Sequence, residues 1–465
     1  MNHFYMPNSV PGNEKDPAQS EIFARFLNEA REANQVPPGV FESFRIKRGL
    51  RDPDGTAVLA GVSNIGNAHG YILSEGDRMP DEGKLEYRGF DMSHLVDGAS
   101  AEGRYGFEEC IYILLFGKLP TAEELATFKT LLASNRHLPD RFTEDILMKA
   151  PSPSIMNKMA MGVLALYAYD ENPDDTSLEN MLRQSMEIIA RLPSIAAHAF
   201  AVYRSHFYKK SLNLNFPKDN LGTAENFLRM IRPDKKYTEE EARLLDLCMI
   251  IHAEHGGGNN STFSCRVLSS SGTDTYSAIS AAIGSLKGPL HGGANIKVQE
   301  MFDCMKENIR DIGDEEEVCD FLRKILRKEA YDGKGLIYGM GHAIYTKSDP
   351  RAVMLKKYAE ELAVKKGFGE DFRLLETIER NTPILFNELR GTNKVMCANV
   401  DLYSGLVYRM LGIPVELYTP LFAIARVAGW CAHRIEEYET SKKIIRPGYK
   451  VIAKRQPYVA LDERQ

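Results

Sequence analysis

The chain has 465 residues, of which 43% are hydrophobic and 26% charged. That composition excludes disorder as the main state and leaves ample apolar material for a large core in about two to four domains. Lysine and arginine total 58 against 64 acidic residues, a net charge of -6, which argues against nucleic-acid binding over a basic face.

Residues 1–20 are polar, carry prolines and lack the apolar run of a signal peptide, so they read as loose chain. Between Ala57 and Arg88 the stretches GTAVLAGVSN, AHGYIL and KLEYRG suggest a few short strands. Beyond them helical periodicity takes over. The apolar run Cys110 to Phe116 falls far short of the ~18 residues of a membrane span and reads as a core helix turn. Thr121 with Glu124, and Thr238 with Glu241, have the spacing of reciprocal helix caps. Pro120 and Pro420 stand near expected helix starts. Ile155, Met159, Val163, Leu166 and Tyr167 share one helical face. Polar, turn-rich stretches at 170–177, 211–223, 232–240 and 331–351 read as loops, where function often resides. The 7 cysteines form no C-x-x-C pair, so neither a disulfide framework nor a cysteine zinc site is expected, and a reducing cytosol is the default location. The expected fold class is mainly α.

Four motifs set a histidine or aspartate among glycines and small polar residues: HAEHGGGNNSTF (252–263), GPLHGGAN (288–295), GMGHAIYTKSDPR (339–351) and NVDLYSG (399–405). Small neighbours let a ligand or backbone approach closely. Each has a plainer reading. His252 and His255 flank Glu254 at a helix end, but the pattern is not H-E-x-x-H, and a zinc site takes three or four ligands. His291 alone fits a satisfied core histidine, and Asp401 fits a helix cap. The turn at 339–342 lacks the third glycine of a dinucleotide fingerprint, and no phosphate-loop motif occurs. Arg426 is harder to set aside, because an arginine inside the apolar run FAIARVAGW calls for an anionic partner. With Arg351 and Arg446, the set suits a di- or tricarboxylate bound by guanidinium forks. Neutral imidazoles polarise carbonyl oxygens and a carboxylate removes a proton alpha to a carbonyl, so carbon–carbon bond chemistry between carbonyl compounds is a reasonable reading.

From GKLEYRGFDMSHL at Gly83 to about Lys450, these motifs make the chain resemble the si-type citrate synthases of bacteria and eukaryotes. The resemblance implies a nearly all-helical, two-domain fold closing over a cleft. Residues 1–56 would be an N-terminal extension, 57–291 with 399–465 a large domain, and 292–398 a small one. It implies that acetyl-CoA and oxaloacetate condense and that citryl-CoA is hydrolysed, with no metal or other cofactor. Asp401 would remove the methyl proton of acetyl-CoA. His291 would hydrogen-bond the thioester oxygen. His342 would polarise the oxaloacetate ketone. His255, Arg351, Arg426 and Arg446 would join His342 in holding oxaloacetate, while Gly339, Met340, Gly341 and Lys394 would receive CoA. A cytoplasmic homodimer is implied, in which Arg446 completes the partner's site. Glu254 stands where many members have aspartate. The alternative is 2-methylcitrate synthase, acting on propionyl-CoA with the same catalytic residues.

Overall fold

The computed structural model describes residues 17–52, 55–75 and 77–464. The expectation for residues 1–16 lies outside them. Residues 17–20, expected to be loose chain, instead open the helix Pro17–Ala33. Compactness divides the chain into two units. One comprises 1–59 and 447–465; the other runs from Ala60 to Arg446. None of the first unit's residues whose burial is described is buried. Within it the Lys450 ammonium lies 5.0 Å from the Phe44 ring centroid.

The second unit is mainly helical and carries the core. Its sheet is an antiparallel hairpin, β1 (Gly66–Ser74) and β2 (Asp77–Tyr87), extended by the two-residue β3 (Phe90–Asp91). AHGYIL and KLEY therefore form strands as expected. GTAVLAGVSN does not: its only ladder contact is the bridge Arg51–Ala57. Alternation alone does not make a strand without an edge to pair with.

Both expected helix caps form with reciprocal bonds, Thr121 with Glu124 and Thr238 with Glu241, each contributing about 1 kcal/mol. The run around Cys110 is a complete helix, Phe107–Phe116, closed by Gly117 in the left-handed region. The helix Ile155–Leu166 buries Ile155, Met159, Val163 and Leu166 along one face.

The helix Tyr418–Thr440 lies at the centre. Every residue from Tyr418 to Arg434 is buried, the sign of a helix surrounded by protein on all sides. It packs against the helices Leu178–Tyr208, Asn260–Ser269, Thr275–Leu286, Glu239–His252 and Phe107–Phe116. The hairpin grips the loop before the helix Pro350–Lys365. Gly83 N–H donates to Ser348 Oγ (3.0 Å) and Asp81 N–H to Thr346 Oγ1 (3.1 Å). The approach is close enough that a Cβ on Gly83 would lie 2.1 Å from the Ser348 carbonyl oxygen.

Candidate active site

One wall of the site is a face of the helix Tyr418–Thr440. Arg426, Trp430, His433 and Glu437 recur at helical spacing and meet the segment 252–266. The Nε of Arg426 donates to the His252 carbonyl at 2.6 Å. Nη1 and Nη2 are buried without a hydrogen-bond partner among the described residues. Burial lowers the Arg426 pKa to about 10, with Glu254 opposing the shift, so the group remains a cation at neutral pH. Unpaired buried donors on a charged group are costly unless an anion meets them.

Further along the same face, Trp430 Nε1–H donates to Ser261 Oγ (3.2 Å). The Ser261 hydroxyl donates to Asn259 (2.9 Å), and its backbone N–H donates to His291 Nε2 (3.3 Å). His291 Nε2 also lies 3.0 Å from the Ser261 hydroxyl; because the backbone N–H can only donate, Nε2 is the acceptor, and the neutral ring then carries its proton on Nδ1. Burial and the Arg426 charge lower its pKa to about 4, which keeps the ring neutral.

His433 is fixed in the opposite sense. Arg266, which always donates, meets Nδ1 at 2.6 Å, so Nε2–H donates to Glu254 at 2.8 Å. Burial alone would raise the Glu254 carboxyl, but His433 beside it holds it below its ordinary value.

The facing wall is the loop 339–351 together with the start of the helix Val400–Met410. Gly341 N–H donates to the Cys397 carbonyl (2.7 Å), Asn399 N–H to Gly339 O (2.8 Å) and Asn399 Nδ2 to Gly341 O (2.9 Å), while Met340 bridges Ala398. Gly339 has φ +84° and lies against Leu402, whose Cα a side chain would approach to 2.9 Å; no other residue suits both constraints. His342 Nδ1 accepts from the N–H groups of Ile344 (3.1 Å) and Tyr345 (3.2 Å). The neutral ring thus places its proton on Nε2. It stacks on Tyr345 with centroids 4.7 Å apart, and His255 meets its edge at 5.2 Å. Burial, then Arg351, push the His255 pKa well below the usual imidazole value.

Arg351 is buried at the start of the helix Pro350–Lys365 and forks onto Asp349 at 3.0 and 2.7 Å. Burial works against its charge, but Asp349 overcomes this and raises its pKa. Asp401 is not the cap of its helix. Asn399 is, accepting the Asp401 N–H at 3.0 Å. Freed from that role, the Asp401 carboxyl rises to about 6, driven by burial and opposed by Arg351.

The structure thus brings together His255, His342, Arg351 and Arg426, with Asp401 and His291 within their electrostatic reach. Lys394 is exposed, beside the end of the helix Gly369–Arg390, and Arg446 is exposed after the central helix. Neither joins the cluster within the single chain. Sequence reasoning missed Ser261, Arg266, Tyr345, Asp349, Trp430 and His433. The available signal was the helical spacing of Arg426, His433 and Glu437 along a helix that is apolar over most of 420–432. Among the described residues, no group of three metal-ligating side chains is placed to hold a metal ion, and no helix is long and apolar enough to cross a membrane.

Comparison with known proteins gives the same outline. The sequence profile of the citrate synthase C-terminal domain matches residues 57–448. The citrate synthase of Deinococcus radiodurans is 38% identical over 385 residues, 83% of this chain and 94% of the relative. The 2-methylcitrate synthase 1 of Corynebacterium glutamicum is 33% identical over 392 residues, again 83% and 94%. Among solved structures, the Thermoplasma acidophilum citrate synthase in ternary complex with carboxymethyl coenzyme A and oxaloacetate superposes with a TM-score of 0.72 at 28% identity, covering 90% of this chain and 99% of that one. With a profile match over most of its length and relatives aligned nearly end to end, the chain belongs to the citrate synthase family.

Proposed function

We propose that the chain condenses acetyl-CoA with oxaloacetate and hydrolyses citryl-CoA to citrate and CoA in the following way. Arg351 and Arg426 hold the oxaloacetate carboxylates, with His255 between them. His342 donates its Nε2–H to the ketone and later protonates the alkoxide. Asp401 removes the methyl proton while His291 donates Nδ1–H to the thioester oxygen, where enolate charge develops. The observation that carries this reading is Arg426: a fully buried guanidinium whose Nη1 and Nη2 await an anion. Gly339, Met340, Gly341 and Lys394 receive CoA. Residues 292–398 act as a small domain that closes over oxaloacetate before acetyl-CoA binds, limiting early hydrolysis. The assembly is a cytoplasmic homodimer, a setting that the 7 free cysteines suit, with Arg446 reaching the partner's site.

Thiol release from acetyl-CoA, strictly dependent on oxaloacetate, tests the reaction. Propionyl-CoA in place of acetyl-CoA tests the 2-methylcitrate reading, which the Corynebacterium relative favours. Faster turnover with propionyl-CoA would replace the citrate assignment. Mixing Asp401→Asn with Arg446→Ala chains tests the shared site. About a quarter of the parent activity should return, because random pairing gives half mixed dimers with one intact site each. No recovery would place Arg446 in its own chain's service.

A further inference from the structure

One buried carboxylate joins the oxaloacetate side of the loop wall to the base. Asp349 is 1% exposed and accepts four N–H groups. Three come from Arg351: its backbone N–H (3.0 Å), Nε (3.0 Å) and Nη2 (2.7 Å). The fourth is the backbone N–H of Val400 (3.2 Å), the residue before Asp401. The N-termini of two helices, Pro350–Lys365 and Val400–Met410, therefore converge on one side chain.

Capping the helix Pro350–Lys365 needs only the bond from the Arg351 backbone N–H. A surface aspartate could supply it without the cost of burying a carboxylate. The remaining three bonds do something else: two hold the guanidinium plane and one holds the start of the helix that bears Asp401. We propose that Asp349 is a positioning residue that locks Arg351 and Asp401 into one register, so that the group binding oxaloacetate and the group removing the acetyl-CoA proton are placed by the same carboxylate. This rests on the roles assigned above to Arg351 and Asp401. Bridging two helix N-termini also suits an anion electrostatically, since both present unpaired N–H groups.

Val400→Pro cuts one arm alone. Val400 is the first residue of its helix, where proline is well tolerated. Asn399 before it is extended at φ -99°, ψ 173°, as a residue preceding proline must be. Among hydrogen bonds the substitution removes only the N–H that Asp349 accepts, and it puts a ring of similar size in place of the buried Val400 side chain. We expect kcat, and exchange of the acetyl-CoA methyl protons into solvent, to fall about 10-fold or more, with oxaloacetate affinity by calorimetry within about 2-fold of the parent. Asp349→Asn loosens both arms, so kcat should fall and oxaloacetate binding should weaken by about 10-fold. If Asp349→Asn does not fold, Val400→Pro decides alone. The proposal is overturned if Val400→Pro leaves kcat unchanged, or weakens oxaloacetate binding as much as it lowers kcat. It is also overturned if folded Asp349→Asn shows a lower melting temperature but parental kcat and affinity. Parent enzyme and Asp401→Asn run in parallel. Absent thiol release in the parent, or undiminished kcat in Asp401→Asn, marks failure of the assigned reaction or base rather than of the positioning role.

Discussion

Arg426 and His342 face the same site but are held by different physics. Arg426 belongs to a helix buried on every side; its neighbour Trp430 bonds Ser261, whose backbone N–H meets His291, and His433 bonds Glu254. His342 belongs to a glycine-bearing loop and Arg351 to the first turn of the helix that follows it, and the two are held by backbone amides, a capping aspartate and a hairpin. A close-packed helix tolerates an unpaired buried cation because nothing near it can move to relieve the cost. A hydrogen-bonded loop can exchange its partners at small net cost. The helical wall is therefore suited to a fixed anion site, and the loop wall to a part that shifts as substrate arrives.

The largest expected effect tests the loop wall. Asp401→Asn keeps the shape and removes the base, so kcat should fall ~100-fold or more with oxaloacetate affinity little changed. In the parent, kcat should rise with pH through about 6 as the carboxyl ionises. The stability effect has the opposite sign. A carboxyl raised from 3.8 to about 6 contributes stability below pH 3.8 that is lost as pH rises through about 6, on the order of 3 kcal/mol. Asp401→Asn should thus melt no lower than the parent at pH 7.5, because burial is the main cause of the shift. A clear loss of stability there would contradict the burial of this charge.

Arg426→Met tests the helical wall. Removing the buried fork should raise KM for oxaloacetate ~30-fold or more, while unfolding without ligand should show little net change in stability, since the loss of two unpaired donors offsets the loss of the Nε bond to the His252 carbonyl. If oxaloacetate binding survives, the anion site lies elsewhere. Gly83→Ala drives a methyl group into the Ser348 carbonyl. It should lower kcat by ~10-fold through the displaced loop and reduce the melting temperature, with Arg426 undisturbed. Unchanged kinetics would mean that the hairpin does not set the loop. Trp430→Phe is the mildest. It removes one N–H to Ser261, and kcat should fall only ~2–5-fold as the residue that holds His291 loses a supporting partner. A loss as large as that in Gly83→Ala would make the two walls equally sensitive and end the contrast.

Arg426 was legible because a charge in FAIARVAGW breaks an apolar run, and His291, His342 and Asp401 because each sits beside glycines or small polar residues. What joins them was not. His433 stands 167 residues from Arg266 and 179 from Glu254, and meets them only after folding. Asp349 read as part of a turn, and its second helix is invisible in D-P-R. The cap of the Val400 helix fell two residues earlier than the sequence suggested, on Asn399, because both residues have capping side chains. The helix at Pro17–Ala33 went unread because its N-terminal turns carry the polar, proline-bearing pattern of loose chain.

The central helix has one more consequence, for the order of assembly. Arg426 and His433 bond partners 174 and 179 residues upstream, so the site depends on contacts of long sequence separation, which form slowly. During synthesis, the helices that will surround Tyr418–Thr440 leave the ribosome before it does. Their apolar faces must wait uncovered until it arrives, a state prone to aggregation. A chain terminated before residue 418 would keep His342 and Asp401 but would lack the segment around which its helices pack. Such a product should accumulate as insoluble material, not as a weakened enzyme.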